Sequence, residues 1–293
     1  MILDKAQDKL NRTKKSINIR GVLHDFSRSM VMGIINLSPD SFHEASRAHG
    51  IDELLSQAEK HIIEGAQILD LGAYSSRPGA DDISEDEELS RLISPLRELR
   101  KTYPELIISV DTFRSNVADQ ALSTGADIIN DISGGKLDSN MFSILAKHKA
   151  PYIMMHMQGR PQTMQDHPEY THVVDDLLLF FSNQIQQARN AGVHDIIIDP
   201  GIGFGKTLAH NYEILRSIER FEIFETPILI GISRKSVINK VLNTKAKYAL
   251  IGSTALHAIL ASKTDAIFRV HDVKEMTEVL QISEMYRDVK TLV

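Results

Sequence analysis

From Met30 onward the chain repeats one rhythm: a short β-rich apolar run ending in a polar residue or glycine, then a stretch with helical spacing. The runs are VMGIIN (to Asn36), ILDLG (to Gly72), LIISVD (to Asp111), DIINDI (around Asn130), YIMMH (to His156), DIIID (to Asp199), PILIGIS (to Ser233) and AIFRVH (to His271). Between them lie segments such as IDELLSQAEKHIIEGA, EDEELSRLISPLRELRKTY, VVDDLLLFFSNQIQQARNAG and VKEMTEVLQISEMYRDV. Gly65, Gly125 and Gly192 stand where helix C-termini would need them. Strands apolar along their whole length are buried on both faces, as parallel strands covered by helices are. Eight such units in roughly 240 residues is the size of a (β/α)8 barrel. A doubly wound sheet is the alternative, weakened by the missing glycine fingerprint after the first run. No Pro/Gly/Ser tract or shift in composition divides residues 30–293, which read as one barrel domain.

The first 29 residues differ. Residues 1–20 carry six Lys/Arg against two Asp and no sustained apolar stripe, which predicts a solvated arm. SINIRGVLHDFS alternates weakly around Gly21 and predicts a small hairpin closing the barrel bottom. The opening MILDKAQDK is charged at once, so no signal peptide is expected. The apolar runs are too short for a bilayer, which needs about 20 residues. Cysteine is absent, excluding disulfides, thiol nucleophiles and thiolate zinc sites. A net charge of −6 and a pI near 6.1 argue against nucleic acid as a partner. A soluble, cytoplasmic chain is the expectation.

One glycine-rich stretch, DPGIGFGKT from Asp199 to Thr207, imitates a phosphate loop. A P-loop requires Gly, four residues, then Gly-Lys-Ser/Thr, and counting back from Gly205 puts Pro200 at the first glycine. Proline has no N–H to give a phosphate. The dinucleotide pattern fails too, because Gly205 arrives one residue early. Asp199, ahead of the turn, is left without a role in either motif.

A barrel turns strand ends into a map, since the C-terminal ends and the loops after them share one mouth. Asn36, Arg77, Asp111, Asn130, His156, Asp199, Lys235, Arg269 and His271 should converge there. Strand eight neighbours strand one, so Asn36, Arg77, Arg269 and His271 form a polar, cationic quarter suited to phosphate oxygens. Arg269 and His271 are two apart and point to one face. Asp111, Asn130 and Asp199 offer acceptors and an amide that suit a ring rich in N–H donors. Each aspartate has a plainer reading as a helix cap, and His156 has one as a satisfied interior histidine. His24, His61 and His148 read as surface or helix positions, with no partner implied. Basic Arg234 and Lys235 at a helix start oppose its dipole, which favours a functional role for them.

Taken in order, MGIINLSPDSF, GAYSSRPGA, SVDT, IINDISGG, MMHMQGRPQTM, IIDPGIGFGKT, GISRKSVI and RVHDV resemble the dihydropteroate synthases, over residues 30 to 290 or so. The resemblance implies a (β/α)8 enzyme joining a dihydropterin pyrophosphate to p-aminobenzoate, with 7,8-dihydropteroate and pyrophosphate as products. It implies that Asp199 receives the pterin 2-amino and N3–H groups, with Asp111, Asn130 and Lys235 completing the ring's contacts. Phe42, Ser76, Pro78, Phe204, Lys235 and Ser236 would border p-aminobenzoate. Asn36, Arg77, Arg269 and His271 would hold pyrophosphate with Mg2+, Asn36 being the metal ligand. The implied chemistry is dissociative: pyrophosphate leaves the pterin methylene, Asp111 steadies the resulting cation, and the amine attacks. Asp111, Lys235, Arg269 and His271 are the expected catalytic set, with Arg269→Ala depressing turnover while sparing pterin binding. A homodimer through late barrel helices is also implied.

The first loop, PDSFHEASRAHG, lacks the family's usual Asp and glycines, Ser76 replaces a usual threonine, and Ile232 is atypical. Two rivals share the pterin contacts. A pterin-dependent methyltransferase has no use for the basic residues of SRPG, SRK and RVH. A non-catalytic paralogue would have lost one of Asn36, Arg77, Arg269 or His271.

Overall fold

A computed structural model describes residues 15–37, 47–74, 82–159, 164 and 168–287. The chain starts with a hairpin, β1 (Ser16–Ile19) and β2 (Val22–Asp25), and then alternates strands with helices. The succession is β3 (Met30–Asn36), α1 (Arg47–Ile63), β4 (Ile68–Gly72), α2 (Glu85–Thr102), β5 (Ile107–Asp111) and α3 (Ser115–Thr124). It continues with β6 (Ile128–Asp131), α4 (Met141–His148), β7 (Tyr152–Met155), α5 (Val173–Asn190), β8 (Ile196–Asp199) and α6 (Leu208–Arg216). The last elements are β9 (Leu229–Ile230), α7 (Ser236–Leu242), α8 (Leu250–Ala261), β10 (Ile267–Val270) and α9 (Val273–Arg287).

Strands β3 to β10 form one parallel sheet in the order β8-β7-β6-β5-β4-β3-β10-β9. A parallel bridge between Ile198 and Ile228 joins its two ends, and Ile198 N donates to Pro227 O at 3.0 Å. The sheet is therefore a closed eight-stranded barrel, as the repeating sequence predicts.

Alternation along each strand sorts the apolar side chains into two cores. Val31, Ile35, Leu69, Leu71, Ile108, Val110, Ile196 and Ile198 point outward into the layer shared with the helices. Met32, Ile68, Ile107, Ile128, Ile153, Ile197, Leu229 and Ile267 point inward and fill the lower barrel. Ile17 and Ile19 of the hairpin and Phe26 after it join this inner cluster, each at most 3% exposed. Each such burial stabilises by about 1.5–3 kcal/mol. The hairpin turns through Arg20 and Gly21, both at positive φ, as a two-residue loop matched to strand twist requires. Arg20 then ties it to the barrel underside, with Nη1 donating to Pro104 O at 2.7 Å and Nε 3.0 Å from Asp127. Among the described residues the hairpin thus packs against the apolar filling of the lower barrel.

One local expectation changes. PILIGIS reads as a strand to Ser233, but β9 covers only Leu229–Ile230. The backbone turns instead, Arg234 sits at φ 57°, and Lys235 N donates to Ile232 O at 3.2 Å. His61 and His148 lie on helices as expected, and the structure gives each a partner that the sequence did not imply. His61 is 3% exposed with Nε2 3.2 Å from Ile34 O, and His148 Nε2 lies 2.5 Å from Asp119.

Candidate active site

Strand register assembles the upper barrel. Asn36, Gly72, Asp111 and Asn130 are consecutive partners across β3, β4, β5 and β6. On the far side Met155 pairs with Asp199. Asn36, Asp111 and Asn130 therefore share one rung of the mouth, and Asp199 stands two residues beyond Ile197, which continues that rung on β8. Asn130 and Asp199 are nearly buried, Asp111 is half-buried, and Asn36 is exposed at the rim.

Arg269 organises this rung. It lies on β10, reaches across β3, and donates from Nε to Asp70 Oδ2 at 2.6 Å and from Nη2 to Asp111 Oδ2 at 3.0 Å. Asp70 Oδ2 also accepts from Asn130 Nδ2 at 3.1 Å. Asp70, Asp111, Asn130 and Arg269 are one connected network, in which each member orients the next. Burial raises the Asp111 carboxyl above its ordinary range, opposed by Arg269 and reinforced by the neighbouring Asp70 charge. Its negative charge is thus poorly solvated and responds strongly to any cation formed beside it.

Asp199 stands opposite, 6% exposed, with Oδ1 accepting from Gly201 N at 2.7 Å. Burial raises its carboxyl as well, against the attraction of Lys235. Lys235 caps the start of α7, donates to Ile202 O at 2.8 Å, and holds its ammonium 4.5 Å from the Phe204 ring centroid. Burial pushes Lys235 down to about 8, against the pull of Asp199. Ser236 follows it on the surface. Arg234 serves a different end: its guanidinium forks onto Asp272 at 2.9 and 2.5 Å, and its N–H donates to Ser253 Oγ. That clamp holds the left-handed turn that delivers Lys235 to the mouth.

His271 follows β10 directly, with Ser233 Oγ 3.1 Å from its Nδ1. It stands at the same end as Asp199, because β8, β9 and β10 are neighbours around the closed sheet. His156 belongs to the interior: it is 7% exposed, edge-on to Phe180, with Nδ1 facing Lys206. Phe42, Ser76, Arg77 and Pro78 lie outside the described residues.

Three features escape a reading by strand ends. Asp70 is fully buried two residues below its strand tip, and its only signal is an acid inside the apolar run ILDLG. Lys206 is buried inside the loop after β8, where the failed phosphate-loop match left it without a role. Ile132, Met155, Met157 and Met164 form a third apolar cluster, joined by Phe113, Leu137 and Phe204. A cavity of about 220 Å³ adjoins this cluster, sharing Leu137 and Met157. That cavity is lined by Ser133, Lys136, Leu137, His156, Met157, Gln158 and Gly159, and by none of Asp111, Asn130, Asp199 or Lys235.

The chain's residues 32–271 match the family described as pterin binding enzyme. A Synechocystis dihydropteroate synthase is 41% identical over 262 residues, covering 88% of this chain and 90% of that protein. The Yersinia pestis dihydropteroate synthase, solved with a sulfonamide drug complex, superposes with a TM-score of 0.87 at 38% identity, over 93% of this chain and 99% of that one. The Thermus thermophilus dihydropteroate synthase in complex with 4-aminobenzoate gives 0.82 at 34% identity, over 92% and 99%. The chain belongs to the dihydropteroate synthase family. The family match begins within β3 and ends at His271, so it takes in parts or all of the eight barrel strands and leaves the hairpin and α9 outside. No helix among the described residues is long and apolar enough to cross a membrane.

Proposed function

We propose that this chain condenses 6-hydroxymethyl-7,8-dihydropterin pyrophosphate with p-aminobenzoate to 7,8-dihydropteroate and pyrophosphate. What supports this reading most is that Asp111, Asp199, Lys235, Arg269 and His271 stand at the same end of one barrel. Asp199 accepts the pterin 2-amino and N3–H groups side by side, which sets ring identity and orientation. Asn130 and Asp111 take further polar edges of the ring, and Lys235 donates to its carbonyl. Phe204, Lys235 and Ser236 border p-aminobenzoate, with Phe42, Ser76 and Pro78 from the first two loops. Arg269, His271, Asn36 and Arg77 grip the pyrophosphate.

The reaction asks for opposite charges at two places. Departure of pyrophosphate needs positive charge on the leaving oxygens, which His271, Arg269 and Arg77 supply. The pterin methylene left behind carries positive charge spread into the ring. Asp111, half-buried and short of solvent, answers that charge. The amine then attacks the methylene, forming the C–N bond and giving up one proton to the released pyrophosphate or solvent, and no protein nucleophile takes part.

Mg2+ is compatible with these residues in one manner. Asn36 offers an exposed amide oxygen at the mouth, a hard donor of the type magnesium uses. Among the described residues no group of three His, Asp or Glu side chains could hold a metal. Mg2+ held by Asn36 would add positive charge to the leaving group.

The test is incubation with dihydropterin pyrophosphate, p-aminobenzoate and Mg2+, following pyrophosphate. Release is expected, and a folded protein that releases none overturns the assignment. Some release before the amine is added marks departure ahead of attack.

The chain pairs with a second copy in this reading. Helices α8 and α9 pack side by side and leave Ile251, Ile259, Ile282 and Tyr286 more than half exposed. Apolar side chains gathered so on two neighbouring helices favour association. Sedimentation should give about twice the 32.8 kDa chain mass. Ile251→Glu should shift it to monomer, and a monomeric parent protein would exclude the pairing.

A further inference from the structure

The loop from Asp199 to Thr207 is wrapped around an ammonium group. Gly201, Gly203 and Gly205 all take positive φ, at 68°, 87° and 58°. A Cβ on Gly201 would stand 2.0 Å from the His156 carbonyl oxygen, so no other residue fits there. The curl turns the carbonyls of Gly201 and Phe204 inward beside that of His156. Lys206 Nζ donates to all three, at 2.9, 2.9 and 3.1 Å, and stands 3.0 Å from His156 Nδ1. The residue is only 3% exposed.

Burying an ammonium is unfavourable unless its protons are used. Burial pushes Lys206 down to about 7, against the pull of Asp199. The compensation is geometric. Three converging carbonyls need donors from one point, and an ammonium offers three. The planar guanidinium of arginine sends its donors outward in a fork and cannot converge. The lysine that imitates a phosphate loop in the sequence is therefore spent on the loop's own backbone.

Two of the three carbonyls belong to residues with other contacts at the mouth. Gly201, held through its oxygen, donates its N–H to Asp199 at 2.7 Å. Phe204, held likewise, presents its ring to the Lys235 ammonium. Tyr170 and Asn211 fasten the loop further along, at Gly205 O and Gly203 N.

We propose that Lys206 is the positioning residue of the pterin-binding loop, a tethered ammonium whose three hydrogen bonds set where Asp199 and Phe204 stand. The proposal rests on the reading of Asp199 as the pterin acceptor. It assigns Lys206 no contact with substrate.

The test compares Lys206→Met, which keeps length and removes the donors, with Asp199→Asn. For Lys206→Met, KM for dihydropterin pyrophosphate should rise tenfold or more while kcat at saturation stays within about threefold. In Lys206→Ala, methylammonium chloride should restore KM towards the parent value, and tetramethylammonium chloride, which has no N–H, should not. A parent-like KM in Lys206→Met, beside lost pterin affinity in Asp199→Asn, overturns the positioning role and leaves the pterin reading standing. Parent-like pterin affinity in Asp199→Asn overturns the pterin reading and this proposal with it. Should Lys206→Met not fold, Lys206→Arg replaces it: a raised KM supports the proposal and a parent-like KM overturns it. Unfolding of both variants assigns Lys206 to holding the barrel rather than the loop, and overturns it too.

Discussion

Asp199→Asn is expected to weaken pterin binding by about 10²–10⁴-fold with little loss of stability. The carboxylate is buried and its Oδ1 accepts from Gly201 N, a bond that an asparagine oxygen can keep. What the substitution changes is the other half of the group. An amide turns N–H donors towards the ring's own donors, where the carboxylate accepted them. Hydrogen bonds to a charged group contribute about 1.5–3 kcal/mol each. Losing one of them and leaving the other on a neutral oxygen amounts to about 3–5 kcal/mol, within the quoted factor. Calorimetric titration with a dihydropterin measures it, and thermal melting checks that the fold survives. Affinity within threefold of the parent would remove Asp199 from the pterin site.

Arg269→Ala is expected to be costly twice. Asp70 is fully buried and Asp111 half-buried, and both would lose their cationic partner. Removing one member of a buried ion pair destabilises by about 3–5 kcal/mol. Turnover should fall by about 10²–10³-fold, the scale seen when one electrostatic partner of a transition state is removed. The sequence alone suggests that this variant spares pterin binding. The network argues otherwise, because Arg269 also orients Asp111 and, through Asp70, Asn130. Pterin affinity should therefore drop as well. Urea denaturation and initial rates measure the two losses. The double variant Asp70→Asn, Arg269→Met separates them: by removing both buried charges it should recover much of the stability and none of the turnover. Unchanged stability in Arg269→Ala would mean that the ion pairs do not form.

The barrel was legible in the sequence because its determinants are local. A run apolar at every position has one satisfactory environment, a strand covered on both sides, and eight of them alternating with helical spacing close into a ring. Strand tips follow from the same pattern, which is why Asp111, Asn130, Asp199 and His271 could be named without coordinates. Pairing is another matter. Arg269 and Asp70 are 199 residues apart, Asn130 and Asp70 are 60 apart, and Lys206 and His156 are 50 apart. Whether such groups meet depends on the stagger between strands and on how loops curl at the mouth. Neither quantity is written in the period of any one segment. Side-chain alternation told which residues face inward, and the closed sheet decided which charge answers which. Lys206 marks the boundary most sharply: Pro200 already excluded a phosphate loop in the sequence, yet only the curl of the loop showed that the ammonium is spent on backbone carbonyls.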